Sequence, residues 1–105
     1  MAVIRVGGGI ITQINVFTVP QGGQAAMIDH LTRAAQCAAE EEGWLSASLH
    51  RSLDGTRVAN YAQSASMDAA QRVIARLRRD GFIAANKAYG EAHPGLYEVV
   101  FGLDR

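Results

Sequence analysis

The chain has 105 residues, with ten basic and ten acidic side chains and a net charge of zero. That length suits one domain with one core, formed without disulfide support. The balanced charge offers nucleic acid no broad basic field and resists self-association little. The single cysteine, Cys37, excludes an intrachain disulfide and a cysteine metal cluster. No run of about 18 apolar residues is present to span a membrane, so a soluble, cytoplasmic protein with no membrane partner is expected.

Residues 1–9, "MAVIRVGGG", read as a flexible leader, and residues 10–105 as a single domain. "IITQINVFTVP" (10–20) is β-branched and ends at Pro20, which predicts a first strand closing into a turn. In the next segment Met27, Ile28, Leu31, Ala34, Ala35 and Ala38 recur at three- and four-residue steps, one face of a helix that stops at Gly43. Cys37 lies in this pattern and reads as a small buried apolar residue. The acidic run Glu40, Glu41, Glu42 reads as a solvated helix end.

"WLSASLHRS" (44–52) and "TRVANYAQS" (56–64) flank Leu53-Asp54-Gly55 and predict a β-hairpin. A helix follows over 66–81, with Ser66 as cap, Asp68 in the first turn and Ala70, Val73, Ile74 and Leu77 facing inward. Arg76, Arg78 and Arg79 gather where the helix dipole favours cations. A short further helix is predicted through "FIAANKAYGEA", a break at "HPG", and a last strand in "LYEVVFGL" (96–103).

The order β, α, β, β, α, β is the ferredoxin-like arrangement of the α+β class, a four-stranded antiparallel sheet with both helices on one face. In the last strand Tyr97, Val99, Phe101 and Leu103 alternate with Leu96, Val100 and Gly102. A sheet apolar on both faces calls for a second layer, and a two-fold homodimer with facing sheets supplies it most simply.

Chemistry is narrowed by what is missing. His30, His50 and His93 are scattered, and no pair has metal-ligand spacing. "VGGGI" lacks the Lys-Ser/Thr of a phosphate loop, and no nucleophile elbow or dinucleotide fingerprint appears. What stands out is Asn15 inside the first strand and Asn60 inside the third, since asparagine is disfavoured there unless its amide faces something polar. Val58, Asn60, Ala62 and Ser64 share one side of their strand. With Asp54-Gly55 as the two central turn residues, Leu49 pairs with Asn60 and His50 points away. A three-residue loop with a bulge puts His50 beside Asn60 instead, and the sequence leaves both registers open.

"INVFTVP", "GWLSASLHRSLDGTRVANYAQ" and "HPGLYEVV" together resemble the antibiotic biosynthesis monooxygenase family, from about Ile10 to Leu103. The resemblance implies a dimeric α+β barrel. It also implies oxidation of an aromatic polyketide-type anthrone or quinol to a quinone with molecular oxygen, using no metal, flavin or haem. The family's asparagines fall on Asn15 and Asn60, the candidate catalytic residues together with His50 as base if it faces inward. The family's active-site tryptophan falls on Ser64. Trp44, near Ser64 in the two-residue-turn register, fits either a filler of the vacated space or a plain core aromatic. Ser64, Trp44 and Ala62 are the candidate substrate contacts, and Ala47 and Ala62 the small residues that keep the site dry. A haem-degrading relative would need a histidine on the second helix, and residues 66–81 have none. The reading from another class is a non-catalytic dimer that binds an aromatic metabolite or a partner protein.

Overall fold

A computed structural model describes residues 3–105, so Met1 and Ala2, the start of the expected leader, lie outside the described residues. The elements are β1 (Ile11–Thr18), α1 (Gln24–Ala38), β2 (Trp44–Arg51), β3 (Arg57–Ser64), α2 (Met67–Arg79), α3 (Phe82–Ala85), a 3-10 turn (Asn86–Ala88) and β4 (Glu91–Tyr97). The sheet is antiparallel in the order β2-β3-β1-β4. Residues 3–9 carry no helix or strand, and their side chains are exposed.

α1 buries Met27, Leu31, Ala34 and Ala38, as their spacing predicts, and His30 with them. The Ser66 side chain caps α2 by accepting from the Ala69 N–H at 3.1 Å. Ala69, Ala70 and Val73 are the buried residues of α2. Phe17, Val19, Met27, Leu31 and Val58 form the core, which fills the end of the sheet next to the β2–β3 turn. Gly43 stands at φ +90°, and a Cβ there would lie 2.5 Å from the Ala69 Cβ, so both backbone conformation and close approach to α2 require glycine.

The last third of the chain departs from the sequence reading. The helix expected through "FIAANKAYGEA" is only α3 and the 3-10 turn, and the last strand is Glu91–Tyr97 rather than 96–103. "HPG" lies inside this strand. β4 is a sheet edge, where the N–H that Pro94 lacks is tolerated. Residues 98–103 form no strand, and Val100, Phe101 and Leu103 are exposed.

Two polar features add to the sequence reading. Glu40 and Glu42 are exposed, as a solvated helix end requires, and Glu41 is half-buried. Glu40 and Glu41 pair with Arg76, Glu41 also with Arg72, and the Glu42 carbonyl accepts from Arg72, which ties the α1–β2 loop to α2. Cys37 is half-buried, and its thiol donates to Asp80 at 3.3 Å rather than resting among apolar groups.

The hairpin keeps the register of the two-residue-turn reading, with Leu49 opposite Asn60. Its turn is built differently, because the Gly55 N–H bonds the Ser52 carbonyl and four residues lie between Ser52 and Arg57. Asp54 Oδ1 accepts from the Thr56 hydroxyl, the Ser52 hydroxyl and the Thr56 N–H, and these bonds lower its carboxyl from 3.8 to about 2. A carboxyl held low in the folded state stabilises fully above its unfolded value and stops doing so as pH falls through its folded value. The stability advantage of the wild type over Asp54→Asn is therefore expected to vanish between about pH 4 and about pH 2. Acid titration of the two melting curves checks this, and an advantage undiminished at pH 2 contradicts it.

Candidate active site

The register arranges the helix-facing side of the sheet in rows. Val58 and Phe17 pair in the core row. In the next row, moving away from the hairpin turn, Leu49, Asn60, Asn15 and Pro94 stand side by side across all four strands. Beyond them lie Ala47, Ala62, Gln13 and Leu96, and then Trp44 beside Ser64. Directly opposed residues of an antiparallel pair bring their Cβ atoms within about 4.5–5.5 Å. The two asparagines are thus neighbours, with the apolar core on one side and a row of small residues on the other.

Ala47 and Ala62 are too small to fill the gap beneath α1 and α2, and a chamber of about 70 Å³ remains. Asn15 and Asn60 line it on the sheet side, Trp44 at one end, and Val73, Ile74 and Leu77 of α2 from above. The volume is that of about two water molecules at bulk density. A larger cleft of about 620 Å³ adjoins it between β4, α2 and α3. Gln13, Asn15, Ile74, Ile83 and Asn86 line both spaces, which makes them one continuous site with an inner and an outer part. Arg78, Lys87 and Glu91 stand along the outer part.

The two amides are held differently. Asn15 is 8% exposed, and its Oδ1 accepts the His93 N–H at 3.0 Å. With the oxygen so used, Asn15 has its Nδ2 hydrogens left to offer. Asn60 Oδ1 is buried and has no partner among the described residues. An unpartnered buried amide oxygen costs about 1–3 kcal/mol.

The other site candidates divide. Ala62 and Trp44 line the chamber. Trp44 gets there through a bulge: Trp44 pairs with Ser64 and Ser46 with Gln63, so Leu45 is an extra residue and Trp44 faces the helices. Ser64 is buried opposite Trp44 and is not part of the chamber wall. His50 pairs with Ala59, the register that points it away from Asn60. It is exposed on the far face of the sheet, bonded to the Ser48 hydroxyl at 2.9 Å. The structure therefore brings Asn15, Asn60, Ala62 and Trp44 together and leaves His50 outside.

Three lining or supporting residues escaped the sequence reading. Gln13 shares its face with Asn15 by simple alternation, which was signal enough. Asn86 lies in a segment read only as helix. His30 is 3% exposed, stacks on Tyr89 with ring centroids 4.6 Å apart, and bonds Asn86 Oδ1 through Nε2 at 2.8 Å. Its position between Met27 and Ala34 on the buried stripe of α1 marked it as an inward histidine.

A ferredoxin-like sheet with an amide-lined chamber under its helices defines an α+β protein whose candidate site lies within one protomer. The model of the antibiotic biosynthesis monooxygenase family matches residues 10–87, and the chain belongs to that family. Among solved structures it is similar to SnoaB, a cofactor-independent oxygenase from Streptomyces nogalater. The two are 24% identical over 92% of this chain and 99% of that one, with a TM-score of 0.82, a likeness of fold. It is also similar to the monooxygenase from the gene ActVA-Orf6 of Streptomyces coelicolor, solved in complex with the ligand nanaomycin D. That pair is 25% identical over 90% of this chain and 91% of the other, with a TM-score of 0.79. No curated protein sequence matches the chain. Among the described residues no helix is long and apolar enough to cross a membrane, and no cluster of three metal-ligating side chains occurs.

Proposed function

We propose that this protein is a cofactor-independent monooxygenase that converts an aromatic anthrone or quinol to the quinone with molecular oxygen. The observation that carries the reading is the Asn15–Asn60 pair, two amides with N–H groups to donate, at the floor of a chamber otherwise mostly apolar. Family membership and the ligand-bound relative support an aromatic substrate. The ring occupies the outer cleft and presents its reacting edge at Asn15, where the two spaces meet. The inner chamber is of a size for dioxygen rather than for a second ring.

For an anthrone the balance is simple: a ring CH2 and O2 become a ring C=O and H2O; a quinol instead gives up its two hydroxyl hydrogens as O2 becomes H2O2. Loss of a proton gives an enolate whose oxygen accepts from the asparagine amides, an arrangement worth most where water is excluded. The enolate passes one electron to oxygen, the two radicals join through a new C–O bond, and the O–O bond then breaks as water leaves. Among the described residues no titratable side chain lines the inner chamber, so the proton departs through the cleft to solvent. His50, on the far face, takes no part in this scheme.

Apolar side chains on that far face, Ile14 and Val16 among them, are half-buried within the protomer and suit a homodimer with facing sheets. Oxygen uptake with an anthrone or a dihydroxynaphthalene tests the function, and uptake no faster than the uncatalysed reaction overturns it. Tight binding without uptake turns the reading to a binding protein. The pH profile of kcat/KM is expected to move with the pKa of the substrate when ring substituents are changed, and His50→Ala to alter the rate less than about twofold. A profile fixed near the ordinary histidine value and lost in His50→Ala contradicts the proton route.

A further inference from the structure

We infer that Asn86, held in place by His30, is a third amide donor of the site and binds a second oxygen of the substrate. The inference rests on the oxygenase reading for the kind of ligand, but not for its evidence. Asn86 opens the 3-10 turn and lines both the chamber and the cleft, on the wall that α3 builds rather than on the sheet. Its backbone carbonyl accepts from the N–H groups of Tyr89 and Gly90, each at 3.0 Å, and its Oδ1 is bonded to His30 Nε2 at 2.8 Å. Backbone and side chain are therefore both fixed. With Oδ1 engaged, the group left for the void is Nδ2, which can only donate.

His30 is fixed in turn. It is buried, its ring is stacked on Tyr89, and Phe82 lies 5.9 Å away on another side. Nε2 must carry the hydrogen when it meets an amide oxygen, so the histidine sets which end of the Asn86 amide faces the ligand. His30 is a positioning residue, and Asn86 touches the substrate. A donor on the α3 wall, separate from the pair on the sheet, selects a ring bearing two oxygens over a ring bearing one.

Binding under anaerobic conditions tests this without relying on turnover. The quenching of Trp44, the only tryptophan and a chamber residue, reports occupancy. The probes are 1,4-dihydroxynaphthalene and 1-naphthol. Asn86→Ala is expected to weaken the first about tenfold and the second less than about twofold, the loss of one hydrogen bond to one oxygen. His30→Phe keeps the ring stack and removes the bond, and should reproduce the Asn86→Ala pattern. His30→Gln restores a donor near Nε2 and should recover most of the affinity. Equal losses for both probes, no loss in Asn86→Ala, or a wild type that does not prefer the diol would each overturn the inference. If His30→Phe does not fold, the two-probe comparison in Asn86→Ala decides alone. Binding as expected but no oxygen uptake would count against the oxygenase reading and leave Asn86 in place.

Discussion

Asn60→Ala is expected to lower kcat for oxygen-dependent turnover by about 10²–10³, the effect of removing one preorganised donor from an oxyanion site. It is expected to do so while leaving the melting temperature unchanged or raised. The buried Asn60 Oδ1 has no partner among the described residues, so its removal relieves a cost rather than breaking a bond. Asn15→Ala makes the contrast. It should lose comparable activity, but it also strands the His93 N–H that Asn15 Oδ1 now accepts, a loss of about 1–3 kcal/mol. Turnover and thermal melts of both variants check the pair of outcomes. An Asn60→Ala protein that is strongly destabilised, or fully active, would make the residue structural.

Trp44→Ala should fail in another way. Trp44, Ala35 and Ala47 form the wall between the inner chamber and a surface groove of about 450 Å³ on the α1–β2 side. Truncating the indole joins the two and admits water, which weakens every hydrogen bond that the amides make to a developing anion. A loss of about 3 kcal/mol in stability is expected, the lower end of the range for truncating a large aromatic, because Trp44 is half-buried. Ser64→Trp alone should overfill the same space and cost about 1–3 kcal/mol. Combined, the two substitutions should complement each other, with activity and stability both closer to the wild type than in either single variant. Additive losses in oxygen uptake and in melting would show that Trp44 and a residue 64 indole do not share one space.

Much of this was readable in the chain. Alternation placed Val58, Asn60, Ala62 and Ser64 on one face, and the Leu49–Asn60 register emerged as one of two alternatives. Asn15 and Asn60 stood out because amides are out of place in strand interiors. What was hidden depended on contacts distant in sequence. "HPG" reads locally as a break, and only its place on a sheet edge lets Pro94 sit in a strand. The acidic run at 40–42 is solvated as read, but its pairing with Arg72 and Arg76 depends on how α2 packs. Asn86 carries no local mark at all. Its interest comes from a histidine 56 residues earlier in the chain.

The extra residue at Leu45 has a consequence for how such chains diverge. The family resemblance puts an indole where this chain has Ser64, and a one-residue irregularity in β2 turns the Trp44 indole into that neighbourhood. The face on which a side chain stands can thus be set by a change in strand length rather than by a change in letter. Position-by-position comparison takes no account of such a bulge. Relatives that lack an aromatic at the equivalent of Ser64 are therefore better sorted by whether their second strand holds a bulge beside a large side chain.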